Sequence, residues 1–122
     1  MTTHADEPWA KRFGAVVARH LQVVRVVTGH IHRSIVTPWA GTTVLVCPSS
    51  APQVALEPRA ISREPDNRAM IVAEPPSFAL HLWQDGALIS HVGYAGKIPV
   101  LARYTAAMQP LVSHLLDEHE GH

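Results

Sequence analysis

Only one cysteine, Cys47, occurs in the 122 residues. No internal disulfide can form, and a reducing compartment, the cytoplasm, is the expected location. An excess of one charge sign is also missing, because ten Lys and Arg balance ten Asp and Glu. Without a basic field, nothing steers the chain onto nucleic acid or an anionic membrane. No apolar run approaches the ~18 residues that a bilayer span requires. The opening MTTHADEPWAKR has no apolar stretch of the kind a secretory signal carries. What remains is ordinary bulk: 47% hydrophobic residues, enough for one core in one domain. Two residue types are over-supplied. There are nine histidines and ten prolines, and the prolines cluster between Pro38 and Pro76, which predicts a loop-rich middle.

Hydrophobic spacing predicts the elements. Trp9, Phe13, Val16, Val17 and His20 recur at helical spacing behind Pro8, a residue suited to a first helical position. Leu21 to Thr28 has the valine content of a buried strand, and Gly29 ends it. Ser34 to Trp39 and Thr42 to Cys47 form a hairpin around Ala40-Gly41. After the loop Pro48 to Pro52, Gln53 to Leu56 suggests a further short strand, and Glu57 to Asn67 an exposed excursion. Ser77 to Trp83 and Ala87 to Val92, joined through Asp85-Gly86, make the clearest hairpin. From Ile98 to His119 the pattern is helical, with Pro110 expected to kink or split it. Helix, strand, short antiparallel strands, helix: the expected class is α+β, a sheet covered by helices.

The stretch Gly29-His30-Ile31-His32-Arg33 raises the functional question. Imidazole is a good ligand for Zn, Mn, Fe or Ni, and residues two apart in an extended segment project to the same side. A preceding glycine permits a tight turn, and strand ends are frequent site positions. Two surface or hydrogen-bonded core histidines account for the same pattern. The neighbours exclude several H-x-H folds. Arg33-Ser34-Ile35 replaces the Asp and His that continue the motif in metallo-β-lactamase-type hydrolases. The first glutamate after His32 is Glu57, too distant for a cupin. The chain is too short for an amidohydrolase barrel.

The run from Val16 through Gly29-His30-Ile31-His32-Arg33 resembles the calcineurin-like metallophosphoesterases, in particular their bacterial cyclic-nucleotide phosphodiesterase branch. Pro48-Ser49-Ser50-Ala51-Pro52-Gln53-Val54-Ala55-Leu56 is similar to that branch's P-S-T-A-H-Q-V-A-L, with Pro52 where a histidine is common. Glu74-Pro75-Pro76-Ser77 to Trp83, then Asp85-Gly86, resembles its closing hairpin. The likeness covers about residues 13–93, within a single partial domain of residues 1–122, and leaves 94–122 as a helical extension. It implies a two-sheet sandwich flanked by helices and a phosphodiester substrate such as a cyclic nucleotide. It also implies two metal ions (Mn, Fe or Zn) that share an attacking hydroxide. By resemblance, His30 binds one metal and His32 the other.

The family's remaining ligands, from D-x-H, G-D, G-N-H-[DE] and a further histidine, precede this region in its members and are not found here. Asp117-Glu118-His119 spells D-x-H, but on a helix residues two apart face different ways. His4 and Asp6 sit in a polar tail unlike the family. Two imidazoles do not hold two dications, and alone they retain at most one weakly bound ion. The expectation is therefore the C-terminal portion of a phosphodiesterase, inactive by itself: a truncated product, a mis-assigned start or one half of a split enzyme. The alternative is a non-catalytic assembly module that self-associates or completes a separately encoded N-terminal half. A weaker third reading is a mononuclear metal protein using His30, His32 and one tail histidine.

The other polar residues have structural readings. His81 and His91 lie on the hairpin, facing solvent or pairing across strands. His114 shares a helix face with Asp117 and Glu118, near His119 and His122. Ser49 and Ser50 have no acid–base neighbour in sequence. Arg33 suits either a phosphate contact or a surface cation, and Cys47 a buried small residue.

Overall fold

A computed structural model describes residues 6–121. Its elements are α1 (Pro8–Ala18), β1 (Val26–Thr28), β2 (Ile35–Trp39), β3 (Thr42–Val46), β4 (Gln53–Val54), β5 (Ile71–Val72), β6 (Ser77–Gln84), β7 (Ala87–Tyr94), a short 3-10 turn (Ala106–Met108) and α2 (Gln109–Glu120). The chain is α+β with short, mostly antiparallel strands between an N-terminal and a C-terminal helix.

Three small sheets form, in the orders β1-β3-β2, β4-β5 and β6-β7. Two of them contain the hairpins expected from the turn residues. Ala40 and Gly41 have φ of 50° and 78°, and Asp85 and Gly86 have φ of 51° and 78°. Positive φ at both central positions is what a two-residue turn needs to match the strand twist. Register then runs from Ile35↔Val46 to Trp39↔Thr42, and from Ser77↔Tyr94 to Gln84↔Ala87. One pairing was not foreseen: β1 runs parallel to β3, Val26↔Val44 to Thr28↔Val46. Strand β3 is thus central, and residues 29–34 must pass over its C-terminal end to reach β2. Cys47 leaves that end with its N–H on the Thr28 carbonyl at 2.7 Å.

Burial is thin. The buried apolar residues are Ala10, Val17, Leu45 and Val46, joined by the polar Gln53 and Ser77. Of the expected face of Trp9, Phe13, Val16, Val17 and His20, only Val17 is buried; the inward stripe of α1 is Ala10-Gly14-Val17. The reason is Gly14: a Cβ there would lie 3.1 Å from the Trp39 ring, so the missing side chain lets the helix close on β2. Phe13 flanks this contact, with its ring centroid 5.4 Å from that of Trp39.

Two boundaries differ from expectation for physical reasons. The strand expected over Leu21 to Thr28 shortens to its last three residues, because β3 offers a ladder only there; Leu21 is 93% exposed. The helix expected from Ile98 begins only at the 3-10 turn and α2. Pro110 starts α2 instead of kinking it, since a first-turn proline forfeits no helical hydrogen bond.

Residues 56–69 leave the sheet and return to it, closed at the neck by the β4–β5 ladder and by Ala55 N–H on the Met70 carbonyl at 2.8 Å. Glu57 is held down to about 2, first by the Arg59 side chain and then by the Arg59 N–H. Asp66 is likewise held to about 2, chiefly by Arg68. Both pairs therefore stay charged through the ordinary carboxylate range, and their contribution is lost only as pH falls toward 2.

If β3 anchors the core, Leu45→Ala should cost about 2–5 kcal/mol of unfolding free energy. By contrast Leu101→Ala, at a residue 96% exposed, should stay within about 0.5 kcal/mol. Urea titrations followed by circular dichroism compare them, and equal costs would show that the core lies elsewhere.

Candidate functional site

The histidine pair sits at the carboxyl ends of β1 and β3, in a loop of bends and not in extended chain. The alternation argument from extended backbone therefore does not apply. Instead His30 and His32 themselves take left-handed backbone, with φ of 76° and 54°. Non-glycine residues there cost of order 1–3 kcal/mol each and persist only where neighbours enforce them. Gly29 is not in that region, and a Cβ on it would meet nothing within 4 Å. The turn expected of the glycine is made by the histidines.

Neighbours do enforce the bend. His32 Nδ1 lies 3.1 Å from the Pro52 carbonyl oxygen. A carbonyl oxygen only accepts, so Nδ1 carries the proton, and the lone pair of a neutral ring is left on Nε2. The His32 carbonyl accepts the Val54 N–H at 2.9 Å. Arg33 donates through Nε to the Val54 carbonyl at 2.7 Å and through Nη2 to both that carbonyl and Glu74 Oε1, the latter at 3.0 Å. Of the two roles open to Arg33, the structure shows a pin: two of its nitrogens are committed, and only 17% of its side chain is exposed.

The loop it grips is itself fixed. The Gln53 amide donates to the Ser49 carbonyl at 2.6 Å and accepts the Ser49 N–H at 3.1 Å. The Ser77 N–H reaches the same Ser49 carbonyl at 2.9 Å. Ser49 Oγ accepts the Ala51 N–H at 2.9 Å, a local turn bond. The three segments singled out in the sequence, around Gly29, Pro48 and Glu74, thus meet at one place.

The other candidates lie elsewhere. His81 pairs across the hairpin with Ser90, Nδ1 to Oγ 2.7 Å. Arg25, which the sequence did not flag, also donates to Ser90 Oγ. His91 is exposed. His114 meets Glu118 at 3.4 Å on the exposed α2. Cys47 is half-buried and unpaired. His4 and His122 lie outside the described residues. Among the described residues no three His, Cys, Asp or Glu side chains converge. His30 and His32 suit a metal as two nitrogen donors, with His32 oriented by a carbonyl in the manner of many ligating histidines. They do not make a whole dinuclear donor set.

No family model matches the chain. Over 88 residues, 71% of its length, the chain is 36% identical to a protein of Arcobacter nitrofigilis named probable glycerophosphodiester phosphodiesterase GpdQ. The match supports the metallophosphoesterase superfamily. The chain spans 30% of that relative's length.

If the Pro52 carbonyl orients His32, long-range nitrogen–proton NMR of the metal-free chain at alkaline pH should show the Nδ1–H tautomer. A dominant Nε2–H form would remove the proposed orientation.

Proposed function

We propose that the chain, as one partial domain of residues 1–122, is the C-terminal portion of a metal-dependent phosphodiesterase, to which it contributes His30 and His32 as metal ligands. The observation that carries this is the convergence of the three family-like segments on a histidine pair whose His32 is held tautomer-first by a backbone carbonyl. The similarity to a glycerophosphodiester phosphodiesterase supports the reaction class. The substrate is a small phosphodiester, a glycerophosphodiester or a cyclic nucleotide.

In that reading this chain's residues position and do not react. Gln53 and Ser77 fix the Ser49 backbone, Arg33 clamps the loop to Val54 and Glu74, and the bent loop presents two imidazoles. When bound, a divalent metal pair such as Mn, Fe or Zn supplies Lewis acidity and an activated water to in-line attack at phosphorus. The carboxylate donors such a pair requires come from polypeptide other than residues 6–121, and the portion described here is inactive alone.

A second observation favours assembly. The chain exposes 10062 Å² of surface, whereas a compact protein of 13.3 kDa exposes about 6,500 Å². Phe78, Leu80 and Leu82 on one face of β6, and Leu111, Leu115 and Leu116 on α2, stand exposed. In the alternative reading the chain is a binding module that self-associates or completes a partner. No helix among the described residues is long and apolar enough to cross a membrane.

Purified chain with Mn should turn over bis(p-nitrophenyl) phosphate no faster than buffer with Mn. Turnover well above that background and abolished by His30→Ala would show a complete site and overturn the incomplete-catalyst reading.

A further inference from the structure

The sheet β1-β3-β2 and the β6–β7 hairpin share no ladder, and the seam between them leaves a cavity of about 230 Å³. That is smaller than the usual site of a drug-sized ligand. Leu45 forms its buried side, while Val36 and Val92 leave its mouth open to solvent. Arg25, the residue before β1, crosses the seam and donates through Nη1 to Ser90 Oγ on β7. Ser90 Oγ also lies 2.7 Å from His81 Nδ1, so the hydroxyl is engaged from two sides.

The rest of that guanidinium is unmet. Its Nε is covered and has no hydrogen-bond partner, and among the described residues no other buried side-chain nitrogen or oxygen is left so. Three other arginines show what the Nε–Nη2 edge does in this chain. Arg33 places it on the Val54 carbonyl, Arg59 on the Glu57 carboxylate and Arg68 on the Asp66 carboxylate. Two parallel N–H groups on one edge match the two oxygens of a carboxylate. Arg25 holds the same edge without an oxygen, and no acidic residue lines the cavity. A covered donor on a cation beside apolar walls is costly to leave unpaired. An anion that reaches it therefore gains more than at an exposed arginine. Arg25 is also the one charged residue in the lining, so a single negative charge balances it, and a phosphate dianion would exceed it.

We infer that this seam is a binding site for one carboxylate, seated on the Nε–Nη2 edge of Arg25 with its short apolar stem against Leu45 and Val36. The carboxylate belongs to a small free acid or to an acidic side chain of further polypeptide. The site is independent of the histidine pair and of the phosphodiesterase reading.

The probes are propionate, a free acid, and acetyl-glutamate methylamide with its side-chain carboxylate ionised. The intact chain is titrated with each while the arginine Nε–H resonances are followed by NMR. Propionamide and chloride serve as the uncharged and the shapeless control. The expected result is a saturable shift of the Arg25 Nε–H in the millimolar range, as a single charge-assisted pair allows. Neither control should produce it, and the Nε–H signals of Arg33, Arg59 and Arg68 should stay in place. Saturation by both probes supports a site that side chains can reach, and saturation by propionate alone supports a site for free acids. Arg25→Gln should weaken binding at least tenfold. Val36→Asp, at a residue 68% exposed, sets a rival carboxylate at the mouth and should weaken it as much, with the amide spectrum of the β6–β7 hairpin unchanged. No saturable shift with either probe, an equal response to chloride, or full binding in Val36→Asp or in a folded Arg25→Gln would overturn the site.

Discussion

The Arg33 guanidinium holds this structure's functional end together. It follows the histidine pair directly, yet its partners come from distant parts of the chain, the Val54 carbonyl and the Glu74 carboxylate. Without it, a six-residue loop with two left-handed histidines would have little reason to keep that shape. A fork of donors is the suitable group for the task, since one planar guanidinium reaches a carbonyl and a carboxylate at once. The backbone bond from Val54 N–H to the His32 carbonyl and the ring bond from His32 to Pro52 complete the brace.

Much of this was legible in the sequence, and the exceptions have physical causes. Ala40-Gly41 and Asp85-Gly86 announced their hairpins because positive φ restricts turn chemistry to few residues. The valine run from Leu21 promised eight strand residues and delivered three, because a strand exists only where a partner supplies hydrogen bonds. The left-handed backbone of His30 and His32 had no signal beyond the adjacent Gly29, which drew attention to the wrong residue. Arg33 looked free because its partners are 21 and 41 positions away. Pro52 contributes only its backbone carbonyl to the contact with His32, an atom that any residue type supplies, so the side chain there gave no signal.

The small core and the large surface belong to the same picture. Among the described residues only Ala10 and Val17 of α1 and Leu45 and Val46 of β3 are buried apolar side chains, and the exposed faces of β6 and α2 need cover. The chain spans 30% of the relative it matches. The exposed apolar faces and, among the described residues, the lack of a third donor beside His30 and His32 are both what the proposed reading, a portion of a larger phosphodiesterase, expects.

The most direct measurement is zinc stoichiometry by calorimetry on the purified chain at neutral pH. The account predicts no more than one weakly bound ion per chain, with the heat of that binding lost in the double variant His30→Ala, His32→Ala. Two tightly bound ions per chain, both lost in that variant, would show that this polypeptide already holds a full centre and would contradict the account.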